Sequence, residues 1–104
     1  MSSFQRPIAK VRTFAKFLLG VVHITPAAVE ALVRNEEEVI HLLKRHREGD
    51  YGAEMCYDDR VVNEESIKQG GRVLSSYTLK DDSVIWIITS AGWQESTVLI
   101  REEY

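Results

Sequence analysis

The chain has 104 residues, 44% of them hydrophobic and 28% charged, with a formal net charge of −3. This is the mixture of an ordinary globular protein, and the length is that of one domain with one modest core. The single cysteine, Cys56, excludes a disulfide framework within the chain and a zinc site made of cysteines alone, so we expect a reducing, cytoplasmic setting.

The charges are distributed unevenly along the chain. Residues 1–16 carry four bases and no acid, residues 17–47 carry four of each, and residues 48–104 carry five bases and twelve acids, a net −7. A basic arm on an acidic body suggests nucleic acid as a partner of the arm, or a cationic surface as a partner of the body. The same pattern also describes a solvated tail and an ordinary acidic surface.

Residues 1–13 show little pattern and are predicted to form a flexible basic arm, followed by a single α+β domain over residues 14–104. The basic start followed by apolar residues resembles a secretory signal, but its strongly apolar core covers only residues 17–22. A signal core needs about 7–15 such residues, and a membrane span needs about 18–20. The sequence therefore predicts a protein that is not exported and has no membrane partner.

The first predicted elements are a strand over residues 16–25 and a helix that begins at Thr25 and Pro26. The strand is rich in β-branched and aromatic residues, while Thr is a good helix cap and Pro suits the first helical position. The buried stripe of this helix is expected to consist of Val29, Leu32 and Val33.

A second helix is predicted to begin after Asn35, which has the residue type of a cap, with the glutamates at 36–38 in its first turn. Four basic residues at 44–47 fill its last turn, and Gly49 suits the left-handed conformation that ends a helix. Its apolar face is expected to consist of Val39, Ile40, Leu42 and Leu43.

The segment RHREGDYG, residues 45–52, brings His46, Glu48 and Asp50 within five positions. These residue types are typical of catalytic and metal sites. However, basic residues at the end of a helix complement its C-terminal partial charge, and Gly49 and Asp50 are common stop and turn residues. Most of the segment is therefore explained as the end of a helix.

The rest of the chain predicts a third helix and then a three-stranded meander. Asp58 is the expected cap, and Gly70-Gly71 the stop, of a helix with Val61, Val62 and Ile67 on its inner side. The strands are predicted over residues 72–79, 84–90 and 96–104, with short turns between them.

The middle strand is apolar on both faces, so it is expected to lie in the centre of the sheet, covered by helices on one side. The strand before Thr25 is a candidate fourth member. The predicted fold class is α+β, with a three- to four-stranded antiparallel sheet and two to three helices packed mainly on one face.

Few residues suggest chemistry. His41 and His46 are five apart, which does not place them on one helix face, and no metal-binding motif occurs, so neither a metal nor another cofactor is expected. No serine lies in a nucleophile elbow; serine and threonine on strands are expected to mark the wetter face, and Cys56 is expected to be a small, partly buried residue.

One catalytic alternative is a small metal-independent RNase or toxin. His46 would be its acid and base, while Arg72 and Tyr77 on a strand would hold the phosphate. The spacing in sequence does not show that these residues meet. Trp93, in a predicted turn, is either an exposed interface anchor or a side chain folded back over its hairpin.

The chain also resembles a family of small proteins of unknown function that are found on plasmids and other mobile elements, some of them labelled as parts of type I restriction loci. The resemblance covers about 85 of the 104 residues and is carried by HREGDYG (46–52), DDRxxN (58–63), GxRxLSSY (70–77), WIIT (86–89), TVLIxEEY (97–104) and LGVVHITPAAVEAL (19–32).

The chain departs from the family at Tyr51, Ser90 and Arg101, where the family usually has Trp, Glu and Pro. If that Glu were catalytic, this chain would lack it. The resemblance brings several polar residues into one signature, which implies a shared binding site. Together with Trp93, the predicted binding residues are His46, Asp50, Tyr51, Asn63, Arg72 and Tyr77.

These observations lead us to expect an accessory protein of a mobile element that acts by binding protein rather than by catalysis. The expected partners are a second copy of the chain, in a homodimer, and a host or plasmid protein with a basic groove. An inhibitor that mimics DNA and blocks a restriction or other defence enzyme fits the net charge of −7 carried by residues 48–104.

Overall fold

The computed structural model describes residues 15–104 of the protein, so the arm predicted over residues 1–13 lies outside the described residues. A short strand is followed by three helices and then by three strands. A single turn of 3-10 helix, Arg101–Glu103, follows the last strand. The elements are β1 (Val21–Ile24), α1 (Pro26–Arg34), α2 (Val39–Arg47), α3 (Tyr57–Lys68), β2 (Val73–Thr78), β3 (Val84–Thr89) and β4 (Glu95–Ile100).

The four strands form one sheet in the order β1-β4-β3-β2. The predicted antiparallel meander of β2, β3 and β4 is confirmed, and β3 lies in the interior of the sheet as expected. The fourth strand, β1, joins β4 in parallel, so the sheet is mixed. The structure is therefore α+β, as the pattern predicts.

The strand register assigns each side chain to one of two faces of the sheet. The helix face carries Ser75 and Tyr77 from β2, opposite Ile87 and Ile85 from β3. The other face, which we call the outer face, carries the intervening residues of each strand. The main core lies between the helix face and the first two helices, and its buried members include Ala28, Leu32, Leu42, Leu43, Ile85, Ile87 and Val98.

Most of the predicted start and end signals of the helices are confirmed. The Thr25 side chain accepts a hydrogen bond from the Ala28 N–H, with Pro26 in the first turn. Gly49 follows α2 with φ 91° and Gly70 follows α3 with φ 70°, and glycine adopts this left-handed conformation without steric cost.

Asn35 does not cap the second helix as predicted. It is the C-cap of α1, its amide donates to the Ala31 carbonyl, and its side-chain oxygen accepts from the Asp81 N–H. The helix α2 begins only at Val39, so the three glutamates lie before it rather than in its first turn. The third helix begins at Tyr57, one residue before the predicted cap Asp58.

The predicted buried stripes were partly wrong. In α1 the buried residues are Ala28, Ala31 and Leu32, whereas Val29 and Val33 are exposed. The small alanines allow the helix to lie close to β4, which turns the valines outward. In α2 the buried residues are Leu42, Leu43 and His46, and Ile40 is exposed; in α3 the expected inner residues Val61 and Val62 are exposed.

Candidate functional site

His46 is the residue on which the catalytic alternative depends, and it is completely buried. It projects from the last turn of α2 onto the helix face of the sheet, where the Phe17 ring meets its imidazole edge-on at 4.9 Å. Its Nδ1 lies 2.6 Å from the Ser75 hydroxyl and its Nε2 lies 2.9 Å from the Thr89 hydroxyl. Both ring nitrogens are therefore occupied within the protein.

The hydrogen bonds continue away from the histidine along the sheet. The Thr89 hydroxyl lies 2.7 Å from the Ser96 hydroxyl, which donates to the Leu19 carbonyl at 2.7 Å. Ser75, Thr89 and Ser96 are all fully buried, so the prediction that strand hydroxyls mark the wetter face is wrong for these three. Together with His46 they form a continuous series of hydrogen bonds beneath the helices, in which each buried hydroxyl has a partner.

Burial lowers the pKa of His46 to about 3, because the charged imidazolium would lose its hydration. A proton shuttle must titrate near the working pH and must reach its substrate. His46 is neutral near pH 7, and no part of its side chain is exposed to solvent. The structure therefore gives His46 a packing role and does not support the RNase-like alternative.

Asp50 is close to His46 in the sequence, and Tyr77 is close to it on the sheet. Both residues also stabilise the fold. The Asp50 carboxylate binds Arg45 Nε at 2.7 Å, and this hydrogen bond holds the pKa of Asp50 below its usual value. The Tyr77 hydroxyl donates to the Asp50 carbonyl at 2.6 Å, and the Arg45 guanidinium lies 4.6 Å from the centre of the Tyr77 ring. Burial raises the pKa of the Tyr77 phenol.

Tyr51 connects the loop after α2 to α3. Its ring is buried and its hydroxyl donates to Glu64 at 2.6 Å. Burial raises the pKa of the Tyr51 phenol, and the same hydrogen bond lowers the pKa of Glu64. The Tyr51 carbonyl accepts from the Ser76 N–H at 2.9 Å, which occupies part of the free edge of β2.

Asn63 occupies a neighbouring position on that edge. It is the one buried residue of α3, and its side chain both donates to the Leu74 carbonyl at 2.8 Å and accepts from the Leu74 N–H at 3.1 Å. An asparagine amide can replace the edge of a neighbouring strand because it offers one donor and one acceptor side by side. The α3 helix is thus attached to β2 through a polar clamp, and Ile67 adds apolar packing against the cluster of Phe17, Tyr51 and Val73.

Arg72 lies on the other side of the sheet from His46. Its guanidinium reaches the Tyr104 hydroxyl at 3.0 Å and lies 5.8 Å from the centre of that ring. The Tyr104 ring packs 5.1 Å from Trp86, a residue of the outer face. The proposed trio of His46, Arg72 and Tyr77 is therefore divided by the sheet, with Arg72 apart from the other two.

A groove runs over the outer face, between α3 and the sheet, beside Arg72. It consists of two adjoining depressions of about 330 Å³ each. Both are lined by Met55, Asp59 and Leu74, the first also by Val62 and Arg72, and the second also by Glu54, Trp86 and Arg101. We call these residues the outer groove; no pattern in the sequence indicated that they meet.

The two remaining residues of interest are Trp93 and Cys56. Trp93 is partly buried, its indole donates to the Gly71 carbonyl at 2.9 Å, and its ring packs against Phe17, so it folds back onto the protein. Cys56 is exposed, contrary to the expectation of a partly buried residue. Within residues 15–104, no three His, Cys, Asp or Glu side chains are grouped in a way that could hold a metal ion.

The predicted binding residues thus separate into two groups. His46, Asp50, Tyr51, Asn63 and Tyr77 hold together the helices and β2, while Arg72 borders the outer groove. Comparisons with known proteins found no matching family model, no matching curated protein and no matching solved structure. Over residues 15–104, none of the helices has the length and apolar character needed to cross a membrane.

Proposed function

We propose that this protein acts by binding another protein at the outer groove, and that it has no catalytic role there. The observation that carries the proposal is the exposed apolar surface of α3. This helix buries only Asn63, while Tyr57 is 77% exposed and Val62 is 63% exposed. Apolar side chains grouped next to a groove are typical of protein interaction sites.

The groove continues this apolar surface onto the sheet. Val62 lines it together with Met55 and Leu74, and Trp86 lines its far end. Trp and Tyr are frequent anchors of protein interfaces, because they bury a large area at a small loss of conformational entropy. Trp86 lines the groove and the exposed Tyr104 ring packs against it, while Tyr57 is exposed at the start of α3.

The rim of the groove indicates the charge of the partner. Glu54, just before α3, and Asp59, in its first turn, line the groove and form no ion pair within the described residues. Arg72 and Arg101 stand across from them on the sheet side. A partner segment with apolar residues in the middle and basic residues at one flank would complement this rim.

DNA mimicry is the more specific form of this proposal, and it has less support. Five of the twelve acids in residues 48–104 form ion pairs with a lysine or arginine: Asp50, Glu64, Glu65, Asp81 and Glu102. A sixth, Glu95, lies 3.2 Å from His23 Nε2, so about half of the acids are left to imitate a phosphate backbone. A binding site with an apolar centre and an acidic rim accounts for both the exposed apolar side chains and the remaining acids, whereas DNA mimicry accounts for the acids alone. We propose a host or plasmid protein in the cytoplasm as the partner.

The experiment is a capture of host proteins by the immobilised full chain, with the wild type beside two variants. Val62→Glu places a charge in the groove, whereas Val33→Glu places the same charge on an equally exposed valine of α1. We expect Val62→Glu to lose the captured protein and Val33→Glu to retain it. The purified partner should then bind Val62→Glu at least about tenfold more weakly than the wild type.

Thermal melting of both variants serves as the control for folding. Moderate salt should weaken the complex only in part, because apolar burial is not screened, whereas a DNA mimic would lose its partner steeply. Equal capture by the wild type and Val62→Glu would refute a role for the groove. Shortening of added RNA by the wild type, abolished in His46→Ala, would restore the nuclease alternative instead.

A further inference from the structure

The sheet has two edges, and they differ in how they are closed. At the β2 edge, Asn63 occupies both outward groups of Leu74, and the Tyr51 carbonyl accepts from the outward N–H of Ser76. At the β1 edge, no described residue does the same. An open edge strand is a template for another strand, and proteins usually protect it with charges, proline or a covering element.

The hydrogen-bond register shows which groups of β1 are open. The N–H groups of Val21 and Thr25 donate to Gln94 and Val98 on the β4 side. Because consecutive residues of a strand direct their backbone groups to alternate sides, the N–H and C=O of Val22 and Ile24 face the open edge. Val22 and Ile24, on either side of His23, therefore offer two positions at which another strand can form backbone hydrogen bonds.

The side chains of β1 do not protect this edge. Its sequence is VVHI, with no acid, lysine, arginine or proline. Val21 is 63% exposed, and Leu18, which leads into the strand, is 69% exposed. Apolar side chains therefore border the open backbone groups, and these residues would lose water contact if another strand were added.

We infer that β1 pairs with β1 of a second copy of this chain, antiparallel, around a twofold axis at His23. Val22 of each copy then faces Ile24 of the other, and each facing pair exchanges two backbone hydrogen bonds, four in total. The occupant is a second copy because the edge is self-complementary in this register. Since Asn63 and Tyr51 occupy the middle of the β2 edge, a strand cannot pair along it in the same way, and the assembly ends at two copies.

The size of the contact sets the strength of the dimer. Four residues and a few flanking side chains on each copy bury less than the roughly 800 Å² per partner of a standard stable interface. We therefore expect a dimer that dissociates on dilution. This surface lies at the far edge of the sheet from α3 and the outer groove, so the inference does not depend on the proposed function.

The test is sedimentation velocity of the full chain over a wide concentration range, with three variants. Val21→Lys adds a charge at the edge, and Ile24→Pro removes an outward N–H that has no partner among the described residues. Val33→Lys is the matched control, an exposed valine on α1. We expect Val21→Lys and Ile24→Pro to weaken dimerisation at least about tenfold and Val33→Lys to leave it unchanged.

Hydrogen exchange at Val22 and Ile24 separates the other possible occupants. Protection of these two amides that rises with protein concentration supports the dimer. Protection that is independent of concentration means that the edge is covered within one chain, and protection that appears only with host lysate means a foreign strand. Either of these results, a monomer at all concentrations, or a dimer that survives both edge variants would overturn the inference.

Discussion

At the residue scale, His46 shows how a reactive side chain becomes structural. Its position in the last turn of α2 suggests a solvated base that complements the helix end, as the exposed Lys44 does. Instead it is turned inward onto hydroxyls from two strands, Ser75 and Thr89. The fold keeps it neutral because a buried charge without a counter-ion is costly.

The buried histidine predicts a pH dependence of stability. The unfolded chain binds a proton at His46 near pH 6.5, but the folded chain does not until the pH falls to about 3. The unfolded state therefore binds more protons between these values, and the free energy of unfolding falls as the pH drops below about 6.5. The expected slope is roughly 1.4 kcal/mol per pH unit.

Urea unfolding between pH 6.5 and 5.5 measures this slope. Below about pH 5.5 the carboxyls of Glu64 and then Asp50, whose pKa values are lowered in the folded chain, begin to take up protons in the unfolded chain and add to the slope. His46→Gln should flatten the dependence, whereas His41→Gln, at an exposed histidine, should leave it unchanged. Identical slopes in the wild type and His46→Gln would show that His46 is not the responsible group.

Gly52 is the second residue whose role is visible only in the structure. It has φ 110°, and a Cβ atom at this position would lie 1.7 Å from the Ser76 carbonyl oxygen. Gly52→Ala should therefore lower the free energy of unfolding by roughly 2–4 kcal/mol. Gly92 is the matched control, since it has φ 88° but open space around it, and Gly92→Ala should cost about 1 kcal/mol. Similar losses in denaturant unfolding for both variants would contradict the clash.

At the scale of elements, α3 is held in an unusual way. Val61 and Val62 are exposed, so its apolar attachment is limited to Ile67, and its hydrogen bonds to Leu74 come from Asn63. A helix attached through a polar clamp leaves its apolar side chains available for a partner. The clamp also covers the Leu74 position of the β2 edge, so one residue serves both the fold and its protection from aggregation.

Replacement of Asn63 should therefore be costly. Asn63→Ala leaves the Leu74 N–H and carbonyl without partners and should lower the free energy of unfolding by roughly 2–4 kcal/mol. Asn63→Asp keeps the acceptor but sets a carboxylate against the Leu74 carbonyl, so it should not rescue stability. Glu65→Ala, at an exposed position of the same helix, should change stability by less than about 0.5 kcal/mol. A small loss for Asn63→Ala, with unchanged hydrogen exchange at Leu74, would contradict the clamp.

At the scale of the whole molecule, the two proposed surfaces lie on different strands. The outer groove belongs to α3, β2 and the outer face, and the dimer edge belongs to β1 at the opposite end of the strand order. A dimer through β1 would therefore present two grooves, one at each end of an eight-stranded sheet. Two linked sites raise the avidity for a partner that is itself dimeric.

This arrangement predicts that the two surfaces can be disabled separately. Val62→Glu should abolish capture of the partner without changing the concentration dependence of the dimer. Val21→Lys should dissociate the dimer and change the affinity for a monomeric partner by less than about twofold. Loss of both properties in either variant, measured by sedimentation and by binding, would mean that the two surfaces are coupled or that the variant is misfolded.

The sequence by itself determined the elements whose signals are local. Thr25 and Pro26 start α1, Gly49 and Gly70 end the next two helices, and the alternating strands with short turns define the meander. These features follow from backbone conformations and hydrogen bonds within a few residues, so no knowledge of distant contacts is needed.

The tertiary structure decided which side of each helix is buried and what the signature residues do. Val29, Ile40 and Val62 have the residue type of a core, but short helices that cross the sheet bury only the side that meets it. His46 and Arg72 belong to one sequence signature, yet the sheet places them on opposite faces. Burial and proximity depend on contacts between residues far apart in the chain, and a local pattern carries no record of these contacts.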